Sequence, residues 1–292
     1  MKKIFQIIST LLFSHLLFAQ PEANKYYESG LKNLKSNDFI KAIGDFTSAI
    51  SMNEKHAEAY YQRAIAKDMM GKKMGFDNTE LCYDLISAMK LGHSAAANML
   101  LKSSCLSQCY NLQLAVVEPD IVFCADFNSK VLSTLPTEVG KMEFLVKLSL
   151  FNNKFTKFPD MLGKCTSLIQ LDFSSNKLTE LNGSTLKNLV FLQELNLAKN
   201  DIPALPKEIG ELKKMKMLNL RGNALKVLPN TIGQLQELEV LDLSINEISV
   251  LPTEILNLKK LKSLYLTGNK IPKKDIKDLQ TKMTWCKVYY DE

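Results

Sequence analysis

The chain has 292 residues, of which 46% are hydrophobic and 23% are charged. This composition provides apolar side chains for about two folded domains and excludes an intrinsically disordered chain. The formal charge of +6 is mildly basic and does not by itself indicate a nucleic-acid-binding protein.

Residues 1–19 have the pattern of a secretory signal peptide. Two lysines precede an apolar run from Ile4 to Phe18, and the small residue Ala19 follows it. The run is interrupted by polar residues and is shorter than the ~20 residues that span a bilayer, so a cleaved signal is favoured over a membrane anchor. We therefore expect an exported protein, either periplasmic, cell-surface or secreted, with no transmembrane segment after signal cleavage.

Residues 22–103 have the periodicity of paired helices, in which small residues alternate with aromatic ones. The first pair carries Tyr26, Gly30, Ala42, Phe46 and Ala49, and the second carries Tyr60, Ala64, Leu85 and Ala88. Small residues let two helices approach while aromatic rings fill the gap, and in this the segment resembles the tetratricopeptide repeat. Two units are fewer than a stable array usually needs. We expect this all-α region either to lean on the next domain or to be an independent module.

The cysteines do not form a dense framework. Cys82 falls in a predicted helix, and Cys165 falls in an apolar core position of a later repeat. Cys105, Cys109 and Cys124 cluster around a predicted connector or N-terminal cap, residues 104–121, which leaves a disulfide there open. Their spacing, with no nearby histidine, does not match a structural zinc site. No metal or cofactor site is predicted.

A fixed period governs the second half of the chain. Asparagines recur every 23 or 24 residues, at Asn153, Asn176, Asn200, Asn223, Asn246 and Asn269. Each closes a segment of the form LxxLxLxxN, and such a period indicates a solenoid. The pattern resembles the 23-residue class of the leucine-rich repeat family. The resemblance implies an α/β solenoid with a curved parallel β-sheet, about seven repeat units (coils) over residues 122–275, and a C-terminal cap over residues 276–292.

The letters of one coil predict its geometry. In Leu-x-Leu the leucines point inward, and the x residues point outward on the concave face of the sheet. The asparagine ends the strand, where its short amide can satisfy backbone groups of the turn and of the neighbouring coil. The six asparagines are therefore predicted to be structural. Trp285 is predicted to cover the last leucines of the core.

The variable outward positions are the candidate site, because the family resemblance implies that partners are held on the concave sheet. The candidate partner-binding residues are Lys147, Ser149, Phe151, Gln170, Asp172, Glu194, Asn196, Met217, Asn219, Arg221, Asp242 and Tyr265. Acids, amides and bases are mixed among them, whereas a nucleic-acid groove should be predominantly basic. The alternative is that the middle column of this face is merely a polar sheet surface.

Catalysis has no evident site in this sequence. The three histidines, His15, His56 and His93, lie outside the repeats, so no nucleophile with a histidine base can be assembled on the solenoid. We therefore predict a non-enzymatic scaffold for a protein or peptide partner. The alternative is a cell-surface adhesin or glycan-binding protein, which would favour several exposed aromatic rings on the concave face.

Overall fold

The structure is a computed structural model that describes residues 20–75, 79–107 and 109–291. The chain divides into two compact units, Met1–Gln108 and Cys109–Glu292. The predicted signal peptide lies outside the described residues. Among the residues described, none of the helices combines the length and hydropathy needed to cross a membrane.

The first unit is helical, as the sequence predicted, and each helix packs against the next. Its helices are α1 over residues 20–35, α2 Phe39–Met52, α3 Ala57–Met74, α4 Glu80–Lys90 and α5 Ala96–Lys102. Gly30 faces the Phe46 ring so closely that an added Cβ would lie 2.6 Å from a ring carbon. The predicted packing of a small residue on one helix against an aromatic ring on the next is therefore present, while the likeness to tetratricopeptide repeats stays a prediction.

A buried ion cluster and a disulfide hold the later helices of this unit together. The Asp84 carboxylate is buried and accepts hydrogen bonds from Arg63 Nε at 3.0 Å, and Lys67 Nζ lies 3.0 Å from it. A buried carboxylate needs such partners because its desolvation is costly. Cys82 on α4 is bonded to Cys105 in the 3₁₀ helix Ser104–Leu106. The sequence reasoning placed Cys82 correctly in a helix and missed its bridge.

The second unit is a solenoid whose strands form one parallel, curved sheet in chain order. The nine strands in the described residues are β1 Tyr110–Asn111, β2 Cys124–Asp126, β3 Lys147–Ser149, β4 Gln170–Asp172, β5 Glu194–Asn196, β6 Met217–Asn219, β7 Val240–Asp242, β8 Ser263–Tyr265 and β9 Lys287–Tyr289. Short helices return the chain between strands: α6 Leu112–Val117, α7 Gly183–Leu186, α8 Lys273–Lys282, and 3₁₀ helices at Pro119–Ile121, Thr137–Lys141, Asp160–Lys164, Lys207–Glu211, Asn230–Gln234 and Thr253–Asn257. The predicted α/β solenoid is confirmed.

The asparagines form a continuous ladder behind the strand ends. Asn200 Nδ2 donates to Leu197 O in its own coil and to Phe173 O in the preceding coil, both at 3.0 Å. Its Oδ1 accepts from the Leu178 N–H at 2.9 Å. The other five asparagines make the same kind of bonds to the coil before them. Backbone groups that a turn leaves unpaired are thus satisfied inside the core.

The sheet continues beyond the predicted repeat boundaries at both ends. Seven coils were expected from residue 122 to residue 275, whereas β1 adds a strand from the predicted connector and β9 adds one from the predicted C-terminal cap. The Cys109–Cys124 disulfide ties the start of β1 to β2. Trp285 packs against the core and donates from Nε1 to Leu258 O at 3.0 Å. These end strands escaped sequence reasoning because neither follows the LxxLxLxxN pattern.

Candidate functional site

Strand register brings the predicted outward residues together on one face of the sheet. A first column runs through Lys147, Gln170, Glu194, Met217, Val240 and Ser263, with Cys124 before it and Lys287 after it. A second column runs through Ser149, Asp172, Asn196, Asn219, Asp242 and Tyr265, with Asp126 before it and Tyr289 after it. Phe151 and Arg221 lie two residues beyond their strands. Whether these residues bind a partner stays a prediction.

The N-terminal half of this face forms a groove of about 400 Å³. Residues of the first two columns from β2 to β6 line it, among them Lys147, Asp172, Glu194 and Met217. Asp126 and Asn128 also line the groove and were missed, because their coil is degenerate in sequence. Tyr265 and Asp242 belong to later coils and lie outside the groove.

The second column has a structural task that the sequence reasoning did not assign. Asp172 Oδ1 accepts from Ser174 N at 2.8 Å and from Ser174 Oγ at 2.6 Å, and Asp242 does the same with Ser244. Asn196 Oδ1 accepts from the backbone N–H two residues on, at 3.2 Å. These are Asx turns, in which a short polar side chain satisfies the backbone where a strand ends. One oxygen of each such side chain is therefore committed to the fold.

The polar side chains of the first column on β3, β4 and β5 form no such hydrogen bonds. Lys147, Gln170 and Glu194 are half-buried, and the described part of the chain offers their side chains no hydrogen bond or ion pair. Met217 is 44% exposed. The polar groups of this column therefore keep their full hydrogen-bonding capacity for something outside the chain.

Two residues beyond the strands, two large side chains flank two small ones in successive coils. Phe151 is 40% exposed and Arg221 is exposed. Between them lie Ser174 and Ala198, which are small and buried. Because neighbouring strands are about 4.8 Å apart, Phe151 and Arg221 stand roughly 14 Å apart along the solenoid with a low floor between them.

An aromatic pair marks the C-terminal end of the same face. The rings of Tyr265 and Tyr289 stack with centroids 4.4 Å apart and planes 6° apart, and Lys287 Nζ lies 4.7 Å from the centre of the Tyr289 ring. Tyr289 was missed, although Lys287-Val288-Tyr289 repeats the polar–apolar–polar alternation of Ser263-Leu264-Tyr265 and follows it by one period.

On both sides of the strands, charged side chains of successive coils form ion pairs. Lys260 Nζ lies 2.7 Å from Glu237, Lys262 pairs with Glu239, and Lys270 lies 3.1 Å from Glu247. The hydrogen bond from Lys262 lowers the pKa of Glu239. These three lysines are thus paired with acids of the preceding coil, whereas Lys213 donates to Gln234 and Lys259 lies over the Trp285 ring.

The ionisable groups best known for catalysis are occupied elsewhere or buried. His56 Nδ1 accepts from Ala59 N at 3.2 Å at the start of α3, and His93 pairs with Glu58 and stacks on Tyr61. Burial raises the pKa of the Cys165 thiol to about 12 and that of Cys286 to about 11. Within the described residues, no group of three His, Cys, Asp or Glu side chains could hold a metal ion.

A family model for a leucine-rich repeat region matches residues 206–283. Among curated proteins, none matches the sequence. A solved leucine-rich repeat protein of Leptospira interrogans is 33% identical, with a TM-score of 0.52, and the match covers 62% of this chain and 52% of that protein. This chain therefore spans about half the length of that relative.

Two plant receptors share the fold. The leucine-rich repeat ectodomain of the membrane receptor kinase GASSHO1/SCHENGEN3 from Arabidopsis thaliana, solved in complex with Casparian strip integrity factor 2, is 28% identical over 59% of this chain and 22% of that one, with a TM-score of 0.50. The plant peptide hormone receptor RGFR1, in complex with RGF2, is 24% identical over 59% of this chain and 28% of that one, with a TM-score of 0.51. The family match, the repeat period and the parallel sheet agree: the second unit of this chain is a leucine-rich repeat domain.

Proposed function

We propose that this chain is a non-enzymatic protein-interaction scaffold that binds a protein or peptide partner on the concave face of its leucine-rich repeat domain. The observation that carries the proposal is the first column of the groove. Lys147, Gln170 and Glu194 project into it side by side, and within the described chain none of them has a polar partner. Polar groups that converge in a concave surface and form no hydrogen bonds within the described chain are suited to recognising another molecule.

The Arabidopsis receptor ectodomain supports this proposal, since it was solved in complex with a factor that it binds. The likeness covers a minor part of that receptor, so it supports the class of function and leaves the partner to be found. A non-enzymatic role is favoured because, among the described residues, those that line the groove combine no histidine or free thiol with their carboxylates. A nucleic-acid partner is disfavoured because the groove presents acids as well as bases.

Export is part of the proposal. Two disulfides, Cys82–Cys105 and Cys109–Cys124, are typical of proteins that fold in an oxidising compartment, because cytosolic thiols are kept reduced. They support the signal-peptide pattern of residues 1–19 by an independent argument. The scaffold would then act in the periplasm, at the cell surface or in the medium.

An adhesin or glycan-binding role is the second candidate, and the stacked Tyr265–Tyr289 pair favours it. Exposed aromatic rings can hold sugar rings by apolar contact. The pair lies at the end of the face and outside the groove, so the two candidates predict different binding sites. A Tyr265→Ala, Tyr289→Ala variant should abolish binding in the glycan case and leave groove-bound partners in place.

Affinity capture with site-specific cross-linking tests the proposal. A photo-reactive residue at Gln170 should cross-link partners from the native exported fraction, whereas one at exposed Lys226 should not. A Lys147→Ala, Gln170→Ala, Glu194→Ala variant should lose the captured partners. Its matched control, Lys187→Ala, Glu211→Ala, Lys226→Ala, replaces exposed residues outside the groove and should keep them. Equal recovery of partners with both variants would show that the binding site does not lie on the concave face.

A further inference from the structure

We propose that the Cys109–Cys124 disulfide is a thiol–disulfide exchange site, at which a thiol-bearing ligand in the groove becomes bonded to Cys109. The two cysteines are bonded to each other, and Cys109 lines the groove together with Lys147. The ligand is a thiol, either a small one or the cysteine of a partner segment. The inference goes beyond the scaffold role, because it makes the groove a place where a covalent bond forms.

Accessibility separates Cys109 from the other cysteines. All six cysteines of the chain lie in the described residues; Cys109 is exposed, and the other five are no more than 9% exposed. A thiolate has to reach a disulfide sulfur in order to attack it, so exchange depends on access. The Cys82–Cys105 bridge has both ends buried, at 0% and 5% exposure. It is therefore an internal comparison for the Cys109–Cys124 bridge.

Lys147 favours departure of the Cys124 sulfur. Cys124 is 1% exposed, and burial alone would destabilise the thiolate that leaves. Lys147 is its partner in the register of β2 and β3, so the two side chains project from the same face of strands about 4.8 Å apart. A neighbouring cation stabilises a thiolate, and a stabilised thiolate leaves faster. The nearest acid on β2 is Asp126, whose Oδ1 is already engaged by the Asn128 N–H at 2.9 Å.

The exchange step needs no oxidant or reductant besides the ligand's own thiol. The ligand's thiolate attacks Cys109 Sγ, a bond forms between these two sulfurs, and the Cys109–Cys124 bond breaks. The electron pair of the broken bond leaves with Cys124 Sγ, which takes up the proton that the ligand's thiol released. The ligand's sulfur is thereby oxidised and that of Cys124 reduced. The products are a mixed disulfide at Cys109 and a thiol at Cys124.

The bonded ligand would stay at the N-terminal end of the groove. Tyr110 and Asn111, which follow Cys109 directly, pair with β2 through the backbone, and this pairing does not depend on the disulfide. The ligand would thus lie beside Lys147 and Gln170, which line the same groove.

The test is exchange of the folded, oxidised full chain with reduced glutathione, stopped with excess N-ethylmaleimide and mapped by mass spectrometry. Glutathione should appear on Cys109 and the maleimide on Cys124, at least about tenfold faster than the Cys82–Cys105 bridge opens. In urea, where both bridges are accessible, the two rates should converge. Equal rates in the folded protein, or glutathione mainly on Cys124, would overturn the proposal.

Lys147→Gln tests the effect on the leaving sulfur. The probe is cysteamine, whose thiolate form carries no net charge, so attraction of the ligand contributes little. The variant should slow exchange roughly threefold to tenfold, and added salt should reduce the difference from the wild type. Lys226→Gln, at an exposed lysine outside the groove, should leave the rate unchanged. Slowing that salt does not alter, or no slowing, would overturn the role of Lys147.

A library of short peptides, each with one central cysteine, distinguishes the two sources of the thiol. If a partner segment is the ligand, the first mixed disulfides at Cys109 should be enriched in particular peptides, and Gln170→Ala with Met217→Ala should abolish the enrichment. A random set of peptides at Cys109 would assign the site to small thiols. Absence of any peptide at Cys109, while Cys82–Cys105 opens, would overturn the exchange site and leave the scaffold proposal standing.

Discussion

The Asp291 carboxylate accepts a hydrogen bond from the Gly268 N–H at 2.6 Å. In inner coils the corresponding N–H donates to a backbone carbonyl of the next coil, as Ile245 N does to Thr267 O at 2.7 Å. Asp291 thus replaces with its side chain the acceptor that a further coil would supply, and the ladder of backbone bonds ends satisfied.

Replacing Asp291 should therefore loosen the C-terminal end of the solenoid. Asp291→Ala removes the acceptor and should cost about 1 kcal/mol, the usual net value of one such bond. Asp291→Asn keeps an oxygen acceptor and should cost less. Urea unfolding measures both, with Asp201→Ala as a control at an exposed aspartate. An equal loss for Asp291→Asn and Asp291→Ala would point to charge and away from the hydrogen bond.

Asn200 should be among the least replaceable residues of the solenoid. Asn200→Ala would leave the Leu178 N–H without a partner in the core. It would also remove one of the two side-chain donors at Phe173 O and at Leu197 O, which keep Asn176 and Asn223. One stranded buried N–H costs roughly 1–3 kcal/mol and each lost bond at a carbonyl that keeps another donor costs less, so we expect a loss of about 2–4 kcal/mol. Asn188→Ala, at an exposed asparagine, should change the free energy of unfolding by less than about 0.5 kcal/mol. Comparable losses would refute the ladder as a stabilising element.

The periodic part of the fold could be predicted from the sequence, and the ends could not. The repeat period identifies the inward leucines and the register of the strands, so the outward columns from Lys147 to Tyr265 could be predicted from the residue spacing. Tyr110 and Tyr289 lie in the first and last strands of the described sheet, and terminal coils need not keep the pattern. The Cys82–Cys105 pairing depends on the path of the helices between them, which spacing alone does not define.

The sequence predicted which residues face outward on the candidate surface, but it did not predict which of them form hydrogen bonds within the chain. Outward alternation identified Asp172 and Asn196, yet their turn-closing bonds were not foreseen, although aspartate or asparagine at a strand end is a turn signal. The unpaired state of Glu194 depends on where every neighbouring charge lies. Sequence alone does not report this.

Ile245 occupies a backbone position that suits glycine. Its φ is 54°, and the equivalent residues one coil away on either side are Gly222 and Gly268, with φ of 67° and 72°. The left-handed region costs an L-residue about 1–2 kcal/mol, and β-branched side chains are rare there. Ile245 is 50% exposed, so its side chain recovers little by burial. Ile245→Gly should raise the free energy of unfolding by about 0.5–1 kcal/mol.

The control for Ile245 is Val227→Gly, since Val227 is equally exposed and is not among the positive-φ residues. There glycine only adds freedom to the unfolded chain, so the substitution should destabilise by about 0.5–1 kcal/mol. Opposite signs in urea unfolding would establish the backbone origin of the effect. Destabilisation by both would contradict it.

The Cys82–Cys105 bridge should stabilise the helical unit. It joins residues 23 apart, and loops of this size gain about 3 kcal/mol when cross-linked. Cys82→Ala with Cys105→Ala should lower the urea midpoint of the helical signal, and a reducing agent should do the same to the wild type. Thiol titration of the unfolded, oxidised protein should find two free thiols, Cys165 and Cys286. More than two would contradict the pairing.

His56 should make the helical unit sensitive to mild acid. Its Nδ1 accepts the Ala59 N–H that begins α3, and burial lowers its pKa below the ordinary 6.5. A histidine with a lowered folded-state pKa binds its proton more readily when unfolded, so stability is full above about pH 6.5 and falls as the pH drops below that value toward the folded-state pKa. Protonation also removes the cap acceptor, which is worth about 1 kcal/mol.

His56→Asn supplies an acceptor that does not titrate. The test is thermal melting of the helical signal between about pH 7.5 and pH 5. The midpoint should decrease less for His56→Asn than for the wild type. Both proteins retain His93, so the difference between them is due to His56. An identical decrease in the two proteins would rule out this cap as the acid-sensitive group.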